Sequence, residues 1–510
     1  MLICRGRTIE GMKLDPAACY RALLARDERH DGRFFVCVET TGVFCRPVCP
    51  ARPPKFENCK FVPTAAAAAE AGFRPCLRCK PEYSPDTELW QGTSATVSRG
   101  LRLIEEGALD QGDVEGLANR LGVGERHLRR LFRQHVGATP IVVAQTRRIL
   151  LAKQLIHHTD LSMTDIALAS GFNSVRRFNE TFRKMYDRSP AQLRRKPADD
   201  RSQTSVIKLS LPYRPPYDWE AMLGFLSKRA IPGVERVSDQ RYCRTIEMGD
   251  VVGTMEAQNL PDQTSLRVTV AIPRIDNLAT IIARTRHLFD LRADPIAINR
   301  ALFQDSDLAP LVHQRPGLRV PGAWDGFEIA IRAILGQQIS VDAATNLAGK
   351  LVDSLGTPVP ESLRKEQLTR TFPNPAAFRL DRVIALGIPH KRAEAIVTLA
   401  EATVRNPHLF AAKSSLDAAV QELRSLPGIG EWTAQYIAMR VLRESDAFLA
   451  GDVALQRILA AGETRPDSQQ LLARAEAWRP WRAYATLHLW TSEAQTVPIK
   501  NGDQRDAITI

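Results

Sequence analysis

Four cysteines stand in two close pairs, Cys45 with Cys49 and Cys76 with Cys79, joined by a stretch long enough to fold back on itself. Two such pairs supply four thiolates at the separation that tetrahedral zinc requires, so one Zn2+ held by Cys45, Cys49, Cys76 and Cys79 is expected. From spacing alone, a structural zinc would suffice. Reactivity is suggested by Arg46, Arg74, Arg78 and Lys80, which crowd the pairs in sequence, because positive charge stabilises thiolates and draws phosphate towards sulfur. A zinc-bound thiolate stays deprotonated at neutral pH and can take a methyl group from a phosphotriester by direct displacement. Cys37 falls in an apolar run, and Cys4, Cys19, Cys59 and Cys243 have no close partner; these read as core or surface thiols.

A second constellation lies near the C-terminus. In Leu426-Pro427-Gly428-Ile429-Gly430, between two helical stretches, the glycines Gly428 and Gly430 would let backbone N–H groups approach a DNA phosphate, as in a helix-hairpin-helix. Glycine turns between helices are common, so the hairpin alone carries little. Trp432 and Tyr436 follow at helical spacing, and then Asp452. A carboxylate beside hairpin-bound DNA can stabilise an oxocarbenium-like sugar and help water attack once a base departs, which makes Asp452 the catalytic candidate. It would serve equally as the N-cap of a helix from Val453. Trp432, Tyr436 and Trp490 could stack on a cationic alkylated purine, though each would also suit a core. Such a base must first leave the duplex stack.

The third set is cationic. Asp113 caps a helix broken at Gly122, and a second helix over Glu125–His135 carries Arg126, Arg129, Arg130 and Arg133 mostly on one face. The pattern repeats from Ser162, with a turn at Gly171-Phe172-Asn173 and a basic helix from Ser174. Two helix, turn, basic-helix units in tandem point to DNA reading, with Arg129, Arg130, Arg176 and Arg177 as groove contacts.

The elements that must position these groups form a multidomain chain of 510 residues. Composition shifts near Pro81–Pro85, Arg195–Ser205 and Pro316–Trp324 divide it. The expected parts are a small α+β zinc domain over 1–90, an all-α tandem helix-turn-helix domain over 91–197, an α+β subdomain over 203–320 and an all-α domain over 321–500. A net charge of +12 favours a polyanionic partner over a membrane. No long apolar run or secretory leader is evident, Met12 offers an alternative start, and a cytoplasmic location is expected.

The residues also carry resemblances. Ala25-Arg26-Asp27, Thr40-Thr41-Gly42-Val43-Phe44-Cys45-Arg46-Pro47 and Ala71-Gly72-Phe73-Arg74-Pro75-Cys76 resemble the N-terminal domain of the Ada adaptive-response regulators. That implies Cys45 as methyl acceptor and all four cysteines as zinc ligands. Ile166 to Phe172 and Arg188 to Arg194 are similar to AraC-type regulators. Residues 206–495, through Pro215-Pro216-Tyr217-Asp218-Trp219, Met222-Leu223-Gly224-Phe225-Leu226, Ala333-Ile334-Leu335-Gly336-Gln337-Gln338-Ile339-Ser340 and Trp478-Arg479-Pro480-Trp481-Arg482-Ala483-Tyr484, resemble the 3-methyladenine DNA glycosylase II family. This implies a TBP-like α+β subdomain, a helix-hairpin-helix (HhH-GPD) fold, and Asp452, Trp432, Tyr436 and Trp490 at the site.

Gln338 stands where that family can insert an apolar wedge, which implies base flipping with altered preference. The Pro-Cys-His-Arg signature of alkylguanine acceptors is missing, so no alkylguanine repair is expected. Together the resemblances imply a repair enzyme and regulator acting on damaged sites and promoters in double-stranded DNA, monomeric, with RNA polymerase a candidate partner. The alternatives are a transcription factor whose C-terminal half is only a DNA clamp, and a glycosylase whose front half merely targets it to DNA.

Overall fold

The computed structural model describes residues 14–84, 95–159, 161–194, 205–275, 277–365, 367–411, 413, 415–460 and 464–496. Cys4, Met12, Pro85 and nearly all of the Arg195–Ser205 stretch lie outside them. The chain divides into two compact units, Met1–Tyr213 with Arg274–Ala283, and Arg214–Pro273 with Arg284–Ile510.

The first unit begins with a four-stranded sheet in the order β3-β1-β2-β4, formed by β1 (Phe35–Val38), β2 (Val43–Cys45), β3 (Cys59–Val62) and β4 (Arg74–Pro75). Alternation along β1 sends Val36 and Val38 to one face with Phe34, Cys19 and Leu23. Phe35 and Cys37 go to the other with Phe44 and Ala68. Both faces are covered, which is why β1 reads as a continuous apolar run; burying each of these aromatics contributes about 1.5–3 kcal/mol. The hairpin between β1 and β2 turns at Gly42, whose φ of 63° belongs to the left-handed region. Parallel pairing of Phe44 with Pro75 then sets Cys45 and Cys76 side by side at the strand ends.

Helices fill the rest of this unit. Asp113 accepts the Gly116 N–H at 2.8 Å and caps the helix Val114–Arg120, and the chain turns at Gly122 (φ 68°) into Glu125–Val136. The 19-residue helix Pro140–His158 leads to Met163–Ala169 and Val175–Tyr186, capped by Ser162 and Ser174. Asp110 ties this repeat together. It pairs with Arg148 at 2.8 Å and Arg147 at 3.3 Å, and a Cβ on Gly171 would fall 2.6 Å from its carboxylate.

In the second unit, β6 (Glu235–Ser238), β7 (Arg241–Met248), β8 (Val251–Leu260) and β9 (Ser265–Ile272) run as an antiparallel meander; β5 (Ser205–Pro212) belongs to the first unit. The helix Gly326–Leu335 is buried on nearly all its faces, Glu328 included, and is the axis of the helical part. The stretch Pro316–Trp324 is no exposed linker. Leu318, Arg319, Val320, Ala323 and Trp324 are buried, and Arg319 donates to the Asp290 carbonyl at 2.7 Å. Among the described residues, no helix is long and apolar enough to cross a membrane.

Candidate functional sites

The sulfurs of Cys45, Cys49, Cys76 and Cys79 all lie within 4.8 Å of one another, and all four residues are buried. Zinc at about 2.3 Å from each ligand would set sulfurs roughly 3.8 Å apart, so the cluster fits one tetrahedral ion. Packed against one another, the thiols cannot all ionise. Hydrogen bonds from Cys45, Cys49 and Cys79 hold the Cys76 thiol well below its ordinary value, while those with Cys49, Cys76 and Cys79, and burial, push Cys45 far up. A dication among them removes that conflict.

The cationic surround is thinner than the sequence suggests. The guanidinium of Arg46 is held by the buried Asp31 carboxylate at 2.9 Å through Nε and by the Cys79 carbonyl at 3.2 Å. Its charge is therefore largely neutralised, and its backbone N–H donates to Cys79 Sγ at 3.4 Å. Lys80 lies over the Tyr83 ring at 5.5 Å, whereas Arg74 and Arg78 are exposed. Cys45 and Cys76 are equally exposed at 8%, so accessibility does not single out an acceptor.

On the helix Glu125–Val136, Leu128, Leu131, Phe132 and Val136 face inwards, while Arg126, Arg130 and Arg133 are exposed. Arg129 is half-buried and bound to Glu125 at 2.6 Å, and Arg130 lies 3.1 Å from the His127 ring. On Val175–Tyr186 the buried side is Phe178, Phe182 and Tyr186. There Arg177 is exposed, and Arg176 pairs with Glu180 at 2.9 Å at an exposed position. Such exposed pairs are weak enough to be exchanged for phosphate.

In the second unit, Asp452 is 4% exposed and caps the helix Val453–Ile458 by accepting the Leu455 N–H at 2.9 Å. It also accepts two indole N–H groups, Trp432 Nε1 at 2.9 Å on Oδ2 and Trp490 Nε1 at 3.1 Å on Oδ1. Trp432 and Tyr436, one turn apart on the helix Glu431–Arg440, stack with centroids 5.2 Å apart and planes 10° off parallel. The two rings and the carboxylate are thus one hydrogen-bonded and stacked assembly. Three N–H groups thus converge on one buried carboxylate, supplying the hydrogen bonds that its oxygens would otherwise take from water.

The hairpin glycines differ in their demands. Gly428 has a φ of 80°, and a Cβ there would meet Ala395 Cβ at 2.4 Å. Gly430 is the N-cap of the following helix, and a Cβ there would meet nothing within 4 Å. The Gly428 carbonyl accepts Gln337 Nε2 at 2.9 Å, and the Gln337 carbonyl accepts Arg392 Nη2 at 2.6 Å. Gln338, the next residue, is exposed with a φ of 61°. Adjacent glutamines therefore do opposite things: one anchors the loop, the other projects from it.

A set of residues beside Tyr436 escaped the sequence reading. A cavity of about 60 Å3 is lined by Tyr436, Phe225, Arg229, Arg332 and Arg440 among others. The signal was available as the i, i+4 couples Phe225/Arg229 and Tyr436/Arg440, but an arginine one turn from an aromatic ring usually marks a solvated helix face.

Three family models match the chain: the metal binding domain of Ada over residues 18–82, a helix-turn-helix domain over 117–196, and the AlkA N-terminal domain over 208–325. A probable bifunctional transcriptional activator/DNA repair enzyme AlkA of Mycobacterium tuberculosis is 41% identical over 480 residues, covering 93% of this chain and 96% of the relative. DNA-3-methyladenine glycosylase 2 of Escherichia coli is 37% identical over 289 residues, 56% of this chain and 97% of that protein. The bifunctional transcriptional activator/DNA repair enzyme AdaA of Bacillus subtilis is 32% identical over 177 residues, 34% of this chain and 81% of that protein.

Proposed function

The chain belongs to the family of AlkA-type bifunctional transcriptional activators and DNA repair enzymes, and on that premise we propose that it removes alkylated bases from DNA with Asp452 and takes methyl groups from DNA phosphotriesters onto Cys45. The observation that carries the first part is the Asp452 carboxylate, buried and accepting hydrogen bonds from Trp432, Trp490 and the Leu455 N–H.

With an alkylated purine flipped against the Trp432 and Tyr436 rings, the C1′–N bond breaks and its electron pair leaves on the base. Asp452 stabilises the positive sugar that remains. Water bonds to C1′ and loses its proton towards the carboxylate. Gly428 and Gly430 present backbone N–H groups to a phosphate, and Gln338 fills the space that the base vacates.

At the sulfur site, bound zinc would keep Cys45, Cys49, Cys76 and Cys79 as thiolates at neutral pH. Cys45 sulfur bonds to the methyl carbon while the phosphate oxygen departs with its electron pair, so each molecule reacts once. Arg74 and Arg78 attract the triester's neighbouring phosphates. Loss of one negative charge at the sulfur cluster then favours DNA binding by the arginines of Glu125–Val136 and Val175–Tyr186, with Arg129, Arg130, Arg176 and Arg177 in the grooves. The four-part division of the chain and the monomeric state belong to this reading, as does recruitment of RNA polymerase at promoters.

The test compares the native protein with Asp452→Asn on methylated duplex DNA, scoring free methylated purines. Release by the native protein alone supports the glycosylase; no release by either leaves the second unit a DNA clamp. Methyl transfer from phosphotriester DNA, lost in Cys45→Ala, tests the acceptor.

A further inference from the structure

The cavity beside Tyr436 contains more positive than negative charge. Arg244 donates to Glu328 at 2.7 Å, and Arg332 to Glu235 at 2.8 Å and Glu328 at 3.1 Å, so two arginines balance two buried carboxylates. Arg229 and Arg440 are additional, and among the described residues no carboxylate pairs with either. Their guanidinium carbons lie 3.9 and 4.7 Å from the Phe225 ring centroid. Arg440 donates Nη1 to the Tyr436 hydroxyl and Nη2 to the Gly322 carbonyl at 3.0 Å. Burial would push the Tyr436 phenol up, yet Arg440, Arg229 and Arg332 outweigh it and hold it below its ordinary value.

A pocket for a cationic base has no need of two uncompensated cations behind its ring, and binding of such a base is opposed by them. Departure is another matter. As the C1′–N bond breaks, the base becomes more negative by one charge and the sugar more positive, whatever charge the lesion carried. We propose that Arg229 and Arg440 are positioning residues which, acting through Tyr436 and Phe225, make the base side of the pocket electropositive opposite the Asp452 carboxylate, so that bond breaking is favoured at the expense of binding. The electron pair moves towards the arginines, and the positive charge that it leaves on the sugar lies towards Asp452. This rests on the glycosylase reading above.

The distinguishing signature is a split between rate and affinity. Single-turnover excision is measured on duplex DNA carrying one N7-methylguanine, for the native protein and Arg440→Met, Arg229→Met and Arg440→Lys. Each Met variant is expected to lose about tenfold in rate constant, as charges several ångströms away at an interior effective dielectric would give. Its half-saturating concentration is expected to stay level or fall, because the cationic lesion is no longer repelled. Arg440→Lys restores charge and should recover most of the rate. A purely structural role for these arginines would weaken rate and binding together, with no recovery in Arg440→Lys. Only rate loss without weaker binding, together with recovery by lysine, supports the proposal; any other combination overturns it. Absence of release by the native protein removes the glycosylase reading, and this inference with it, whereas a native protein that releases base alongside unimpaired Met variants removes the inference alone.

Discussion

The two candidate centres solve opposite electrostatic problems. Cys45, Cys49, Cys76 and Cys79 bring four ionisable sulfurs within 4.8 Å, so the site is complete only with a dication. Asp452 is one carboxylate surrounded by N–H donors, and its oxygens find their partners within the protein. The first centre should therefore fail as a whole when the metal leaves, and the second should tolerate its absence. Chelation, or Cys49→Ala, is expected to abolish methyl transfer and melt the sheet β1–β4, since structural zinc supplies roughly 10 kcal/mol or more of folding free energy. Base release by the second unit should persist. If base release were lost in parallel with the metal, the comparison would break.

The unit that holds the sulfur centre also contains a buried ion pair, close to it in sequence. Lys153 donates to Glu82 at 2.8 Å with both side chains almost fully buried, and Gln154 Nε2 donates to the Glu82 carbonyl at 2.7 Å. Removing one partner from such a pair costs about 3–5 kcal/mol because the other charge is left in the interior. Lys153→Met should therefore lower the denaturant midpoint of the first unit markedly. Lys153→Met with Glu82→Gln should recover much of the loss, since the remaining groups are neutral. Equal destabilisation by the single and double changes would show that packing, not charge, dominates there.

This contrast also explains what the sequence revealed. Each cysteine pair is local, and one strand pairing, Phe44 with Pro75, brings the two pairs together; residue type and spacing therefore sufficed to name the metal site. Capping residues are equally local: Asp113 caps as expected, and Ser162 and Ser174, where the repeat and its basic helix were expected to begin, prove to be caps as well. The Asp452 cluster draws on three separate helices; its residues could be nominated by type and order, but their hydrogen bonds to one another could not be read from spacing. Asp452 caps a helix as the sequence allowed, and it also receives two indoles. Long-range pairings were illegible: Arg46 with Asp31, Gln337 with the hairpin, and the arginines around Phe225. Proline and glycine mark buried coil as readily as linker, so composition at Pro316–Trp324 did not reveal that the stretch is buried.

A smaller effect separates the units by pH. Burial depresses His488 to about 4, only partly opposed by Asp218, so the folded second unit prefers the neutral ring. The unfolded chain binds the proton near pH 6.5. Stability from this group is thus complete above pH 6.5, falls as pH drops towards 4, and levels off below; the loss is at most roughly 3 kcal/mol. Denaturation of the second unit at pH 7 and pH 5 should show this dependence, and His488→Gln should flatten it. A variant as acid-sensitive as the native protein would shift the cause to the carboxylates.

The smallest expected effect is at Gln338, and it sharpens the comparison most because it separates anchoring from contact within one loop. Gln338 is exposed, so Gln338→Ala removes no buried contact and should change stability by less than about 0.5 kcal/mol. Its left-handed φ persists in the variant because Gln337 and Arg392 hold the loop to the hairpin. Gln337→Ala, by contrast, removes the bonds to Gly428 and Thr433 and should loosen the hairpin, lowering affinity even for undamaged DNA. If Gln338 fills the gap left by the base and hydrogen-bonds the orphaned partner, its alanine variant should excise more slowly, by severalfold, and discriminate less among opposite bases. Affinity for undamaged duplex should not change. Equal affinity losses in the two variants would mean that both glutamines only support the backbone, and that this chain flips bases without a wedge at position 338.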